Sequence, residues 1–122
     1  MGCVIVDTSS ILFGVSNNVD VFEKVSDAFP GSEIVISIGV LRELKGLSSG
    51  NGRNSRNAKV SLNLIAKKKL KVKRDNGIVD DWIRHESASG GCIVCTNDTK
   101  LRRALRQNGV NVLTLGRAGQ LR

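Results

Sequence analysis

Short apolar runs alternate along this chain with longer stretches whose apolar positions recur at helical spacing. Val4-Ile5-Val6 breaks off at Asp7-Thr8-Ser9-Ser10, which reads as a buried strand over 3–7 with a polar C-terminal end. Val19, Phe22, Val25 and Ala28 then mark a helical stripe over 18–28 that Pro30-Gly31 stops. A second strand follows at 33–38, and Val40, Leu41, Leu44 and Leu47 predict a helix over 39–47. From 48 to 56 there is no apolar residue and two glycines, so a mobile loop or frayed helix entry is expected. Ala58, Leu62, Ile65 and Ala66 share one helical face over 57–68, and Leu70-Lys71-Val72, flanked by charge, suits an edge strand.

The last third repeats the alternation. Ile78, Val79, Trp82 and Ile83 form the buried stripe of a helix to about 88, which Gly90-Gly91 ends before a central-type strand over 92–96. Asp98 is placed to cap the helix of Leu101, Ala104 and Leu105, and Asn108-Gly109 stops it before a strand over 110–115. Five strands alternating with helices predict a single-domain, three-layer α/β/α architecture with a five-stranded parallel sheet. The domain should occupy 1–116, followed by a polar, basic and frayed tail over 117–122.

A chain of 122 residues has room for one core. Nineteen Lys and Arg against eleven Asp and Glu give a net charge of +8, which favours an anionic partner such as nucleic acid. No apolar stretch approaches the roughly 20 residues of a membrane span, so no membrane partner is expected. Cys3, Cys92 and Cys95 are odd in number, two of them lie in apolar runs, and no charged-then-apolar leader precedes them. That usage implies reduced thiols and a cytoplasmic location. The Cys92/Cys95 spacing does not suggest a metal site, because strand residues three apart face opposite sides.

The acids carry the chemistry. Parallel strands all end at one edge, so Asp7, the helix bearing Glu43, the helix opened by Asp80 and Asp81, and Asp98 can converge there. Crowded carboxylates raise one another's pKa or require a cation, and hard oxygen ligands select Mg²⁺ or Mn²⁺ over zinc. An acidic pocket in a basic protein suits a phosphodiester site. There, two ions about 3.5–4 Å apart would activate a water and steady the leaving oxygen. A phosphoacceptor receiver domain would need an acid pair near the first strand, and residues 3–10 hold only one acid.

Val-Ile-Val-Asp-Thr-Ser-Ser at 4–10, Val-Leu-Arg-Glu-Leu-Lys-Gly-Leu at 40–47, Val-Asp-Asp-Trp-Ile at 79–83 and Cys-Thr-Asn-Asp-Thr-Lys-Leu-Arg-Arg-Ala-Leu at 95–105 together resemble a PIN domain across essentially the whole chain. The resemblance implies a metal-dependent ribonuclease, probing RNA as substrate, with Asp7, Glu43, Asp80 and Asp98 as the four catalytic, metal-holding acids. Asp80 is preferred to Asp81 for its spacing to Ile83, and Asp81 is held in reserve. Thr8, Ser9, Thr96 and Asn97 fall where similar proteins orient the acids by hydrogen bonds. The segment from Ser49 to Lys59 resembles the archaeal branch akin to ribosomal-RNA processing nucleases more than the short toxin forms. The implied partners are therefore RNA, a second copy in a homodimer, and either a ribosome-assembly factor or, for a toxin, an antitoxin.

Each residue also has a plainer role. Asp98 alone is a good helix cap, Glu43 between Arg42 and Lys45 a solvated charge, and one of Asp80 and Asp81 a dipole partner. Trp82 belongs to its helix's core stripe, His85 to the surface, and Ile11-Leu12-Phe13 to core or a self-association patch. Arg53, Arg56 and Lys59 after Glu43, and Lys100 and Arg103 after Asp98, are the cations expected to hold RNA phosphates. The alternative to an enzyme is a non-catalytic RNA-binding module that keeps the fold.

Overall fold

The computed structural model describes residues 2–122. Strands β1 (Cys3–Val6), β2 (Glu33–Ser37), β3 (Lys71–Lys73), β4 (Ile93–Cys95) and β5 (Val112–Leu113) form one sheet in the order β3-β2-β1-β4-β5, every pair parallel. Helices α1 (Thr8–Ser16), α2 (Val21–Ala28), α3 (Ile38–Ser48), α4 (Arg53–Ala66), α5 (Val79–Gly90) and α6 (Thr99–Gln107) supply the connections.

Alternation along the strands divides the core into two layers. Val4 and Val6 of β1 and Ile34 and Ile36 of β2 pack with Ile11, Phe22, Val25, Val40, Leu44 and Ala58, the buried faces of α1 to α4. Ile5, Val35 and Val94 point the other way, onto Trp82, Ile83, Leu101 and Leu105 of α5 and α6. Helices therefore cover both faces, the arrangement read from the sequence. Trp82 is buried in the second layer, as its stripe requires. β3, with two exposed residues of three, forms the charged edge.

Four local features differ from the sequence reading. Thr8 to Ser16 are helical, because β1 hands the chain directly to α1 and Ile11 is drawn under the sheet. The run 48–56 is mostly ordered: α3 continues to Ser48 and α4 begins at Arg53. Buried Ser55 closes the short connection, its single hydroxyl proton lying between the carbonyls of Ser48 (2.9 Å) and Gly50 (2.7 Å). The C-terminal segment is folded back rather than frayed, with Thr114 and Arg122 exchanging backbone bonds of 3.0 Å and Leu115 bridging Leu121. Finally, Cys3 and Cys92 are joined by a disulfide, while Cys95 is a free, buried thiol. β1 and β4 are neighbours with Val4 opposite Ile93, which sets Cys3 beside Cys92.

Candidate functional site

The strand order reverses between β1 and β4, the topological switch point at which open parallel sheets leave a crevice beyond their carboxyl ends. Val6 pairs with Cys95, so the first residues past the two strands, Asp7 and Thr96, lie side by side, and the Asp7 N–H donates to the Cys95 carbonyl at 3.0 Å. Asp7 occupies the N-cap position of α1, but its carboxylate caps nothing. Instead its Oδ2 accepts from Ser9 Oγ at 2.7 Å and from Thr96 Oγ1 at 2.9 Å. Each hydroxyl has one proton, so the 3.2 Å contact between Ser9 and Thr96 is not a third bond of this set. Both donors fall on one oxygen of a carboxylate only 6% exposed, which leaves the other oxygen for the crevice.

Asn97 extends this framework. Its Oδ1 accepts from Ser10 Oγ (2.7 Å) and from the Leu115 N–H (3.1 Å), and its Nδ2 donates to the Leu115 carbonyl (2.9 Å). One side chain thus ties α1, the end of β4 and the C-terminal segment together. Asp98 caps α6 through Oδ1, which accepts from the N–H groups of Lys100 (2.9 Å) and Leu101 (3.1 Å). Its capping role is real, and its second oxygen takes no part in it.

Glu43 on α3 and Asp80 in the first turn of α5 line one recess of about 370 Å³ with Gly39, Arg42 and Val79. Glu43 is exposed at the rim, yet partial desolvation there pushes its carboxyl above its ordinary value, and the charges of Asp7 and Asp80 push it further. Asp80 is exposed too, and partial desolvation likewise raises it, followed by the charges of Asp7 and Asp98, with Arg84 opposing. Each acid therefore lies in the field of others that are far away in sequence. Asp81 is exposed in the same turn and adds to the field on Asp80. Thr8 Oγ1 is buried without a partner of hydrogen-bonding geometry, yet lies near enough to Glu43 to offset part of that acid's rise.

Among the described residues, no three of these carboxylates already close on a common point as a ready-made metal cage. The donor set nonetheless fits a hard divalent ion: only oxygens, high negative charge density and an unpartnered buried hydroxyl at the rim. Mg²⁺ usually keeps several waters and takes only one or two carboxylates directly, so a loose ring of acids suits it. Cys95, pushed up to about 11 by burial, is a protonated core thiol and no ligand.

The basic residues fall in two places. Arg53 starts α4, with Arg56 and Lys59 exposed further along it, so these cations stand on a helix rather than a mobile loop. Lys100 and Arg103 are exposed on α6, where Arg103 lines a recess with Arg102 and Arg106. His85 is exposed on α5. Sequence reasoning missed Asp75, whose side chain is fully buried between α3 and the segment before α5. It also missed Arg117. The Asp-Asn-Gly turn signature at 75–77 was the available signal for the first.

Fold and rim together define an α/β protein with an acid-lined crevice at the switch point of a five-stranded parallel sheet. The chain belongs to the PIN-like domain family, whose model matches residues 4–118. It is 30% identical over 111 residues to ribonuclease VapC9 of Archaeoglobus fulgidus, covering 90% of this chain and 80% of that one. Among solved structures it resembles the PIN domain endonuclease Utp24 with a TM-score of 0.77 and 25% identity, over 93% of this chain and 85% of that one. VapBC2 from Rickettsia felis, solved bound to a DNA fragment from its promoter, shares the fold at a TM-score of 0.65 and 15% identity, over 92% and 98% of the two chains.

Proposed function

We propose that this chain is a divalent-metal-dependent ribonuclease that hydrolyses RNA phosphodiester bonds at the rim formed by Asp7, Glu43, Asp80 and Asp98. The observation that supports it best is that Glu43, raised by desolvation and then by Asp7 and Asp80, and Asp80, raised by desolvation and then by Asp7 and Asp98, share one acidic field in a chain of net charge +8. Such crowding is costly unless a cation and an anionic substrate meet there. The kinship with ribonuclease VapC9 and endonuclease Utp24 points the same way.

In this reading the four acids hold Mg²⁺ or Mn²⁺, which when bound lowers the pKa of water and polarises the phosphodiester. The remaining work belongs to the chain. Ser9 and Thr96 fix the Asp7 carboxylate through Oδ2 and aim its other oxygen at the crevice. Thr96 Oγ1 also accepts from the Asp98 N–H at 3.1 Å, so one hydroxyl sets the spacing of two acids. Arg53, Arg56, Lys59, Lys100 and Arg103 attract the RNA backbone from the two flanks. RNA is the partner this reading requires; a homodimer, and an antitoxin or a ribosome-assembly partner, rest on the family resemblance.

The test compares cleavage of single-stranded RNA in Mn²⁺, in Mg²⁺ and in EDTA, for wild type and Asp7→Asn. Metal-dependent cleavage leaving 3′-hydroxyl and 5′-phosphate ends, lost in the variant, is expected. RNA binding without cleavage in either metal would identify a binding module instead.

A further inference from the structure

A groove of about 500 Å³ runs beside the acid rim between α1, the start of α4 and the C-terminal turn. Ser9, Leu12 and Phe13 of α1 form one side, Arg53 and Asn57 of α4 another, and Arg117 closes it from the C-terminal turn. Ser9 belongs to both places, since its hydroxyl donates to Asp7 at 2.7 Å. The groove therefore adjoins the proposed reaction centre through Ser9.

Its composition is selective. No acid lines it, and two guanidinium groups come together from positions 53 and 117. Among the described residues neither arginine is held in an ion pair or a side-chain hydrogen bond, so both are free to meet an anion. The floor is apolar: Leu12 and Phe13 are half-buried against the core and keep a surface toward the groove. Of the four aromatic side chains, Phe22 and Trp82 are buried and Phe29 packs at the end of α2 outside the groove, so Phe13 is the ring that lines it. The turn carrying Arg117 is also built in, with Gly116 N–H donating to the Gln120 carbonyl at 2.8 Å and Leu115 held by Asn97.

We propose that this groove binds one nucleotide of single-stranded RNA next to the scissile phosphate, with the base on Phe13, the Asn57 amide at its edge, and a phosphate between Arg53 and Arg117. A paired base cannot present its face to a ring, so the groove makes the enzyme select unpaired RNA. This rests on the ribonuclease reading for its position beside the reaction centre, but binding can be measured without cleavage.

The experiment measures fluorescence anisotropy of a short labelled oligouridylate in EDTA, where cleavage is absent, with a duplex of equal length as comparison. Wild type should bind the single strand more tightly than the duplex. Phe13→Leu, which keeps apolar bulk, should weaken single-strand binding at least about five-fold without changing its salt dependence. Arg117→Ala should weaken it and reduce the slope of log affinity against log salt by about 0.7. Asn57→Ala, a partly buried position in α4 where Ala keeps the helix, serves as a third arm should Phe13→Leu unfold. Lys69→Ala, which removes a charge on the opposite edge, should bind as wild type.

If wild type cleaves RNA in Mn²⁺ but Phe13→Leu, Asn57→Ala and Arg117→Ala all bind like wild type, the groove is not a nucleotide site and serves an occupant of other chemistry, while the nuclease reading stands. If binding depends on these residues but no cleavage occurs in any metal, the groove stands and the nuclease reading fails. Wild type that binds neither single strand nor duplex overturns the groove, and cleavage in Mn²⁺ then decides the nuclease reading by itself.

Discussion

The carboxylate of Asp75 accepts a 2.6 Å hydrogen bond from the backbone N–H of Gly39, 36 residues away. Its other oxygen accepts from Arg42 at 2.9 Å and from the Gly77 N–H at 2.8 Å. One side chain thereby buckles the start of α3, which carries Glu43, to the turn before α5, which carries Asp80. Gly39 is required by this contact, because a Cβ there would overlap both the Asp75 carboxylate and a Val79 methyl.

Asp75→Ala would leave the buried Gly39 N–H unpaired and is expected to cost roughly 1–3 kcal/mol in denaturant unfolding. Gly39→Ala should cost a similar amount through overpacking. Because both changes break the same contact, the double variant should lose clearly less than the sum of the two. Cleavage should fall in each single variant at temperatures where the protein is still folded, since the separation of Glu43 and Asp80 is no longer fixed. Additive losses would show that the two residues do not act through each other.

The same buckle has a pH signature. Burial pushes Asp75 up, but the bonds from Gly77, Gly39, Ser37 and Arg42 outweigh it and hold the carboxyl below its ordinary value of 3.8. The unfolded chain then binds this proton more readily than the folded one. The stabilisation is complete above 3.8 and is lost as pH falls through the depressed folded value. Urea midpoints of wild type and Asp75→Asn measured down the acid limb should therefore converge. A constant gap between the two curves would contradict it.

Glu43 and Asp80 have the opposite sign. Both are raised above their ordinary values of 4.5 and 3.8, so the folded state binds these protons more tightly than the unfolded chain. Stability is then lost as pH rises from those values to the raised folded ones, above which the loss is complete. Glu43→Gln and Asp80→Asn should abolish cleavage and yet melt slightly higher than wild type at neutral pH. Solvent reaches both groups and screens the repulsion, so the gain should stay under about 1 kcal/mol. Added Mn²⁺ should raise the melting temperature of wild type more than that of either variant, as binding to the folded state alone requires. Variants that melt lower than wild type would mean that these acids stabilise the fold.

The placement of Asp7 and Asp98 past strand ends, of Asp80 at a helix start and of Glu43 in the second turn of α3 was legible, because parallel strands all end at one edge whatever their distance in sequence; that these acids form a metal site is the proposal. The two-layer core was legible for a similar reason: Val4 and Val6 alternate with Ile5, and the helical stripes must cover both faces. What was hidden depends on tertiary partners. Thr8-Ser9-Ser10 has the composition of a loop, and it becomes helical because Ile11 is drawn beneath the sheet. The polar run after Ser48 looks mobile until the buried Ser55 hydroxyl is seen to sit between two carbonyls of the turn. Asp75 resembles a surface turn residue, and nothing local discloses that Gly39 will lie against it. Arg117 reads as part of a frayed tail because the Leu115–Leu121 bridge that orders it consists of two lone leucines in polar sequence.

The cysteine pairing was beyond the sequence for the same reason, since Cys3 and Cys92 become neighbours only through the adjacency of β1 and β4. The bond closes a separation of 89 residues and joins the strands at the end opposite Asp7 and Thr96. Cross-links over long segments restrict the unfolded chain, so reduction or Cys3→Ser should lower stability by about 2–4 kcal/mol. Because the acids lie at the far end of the same strands, the rate of RNA cleavage by the reduced, folded protein should change little. Thiol titration of protein unfolded without reductant should count one free cysteine, Cys95, and a count of three would restore the reduced state that cysteine usage implies. Should cleavage instead collapse on reduction while the fold persists, the alignment of β1 with β4 would have to depend on the bond, and the hydrogen bond from Thr96 to Asp7 would be the contact through which the loss is transmitted.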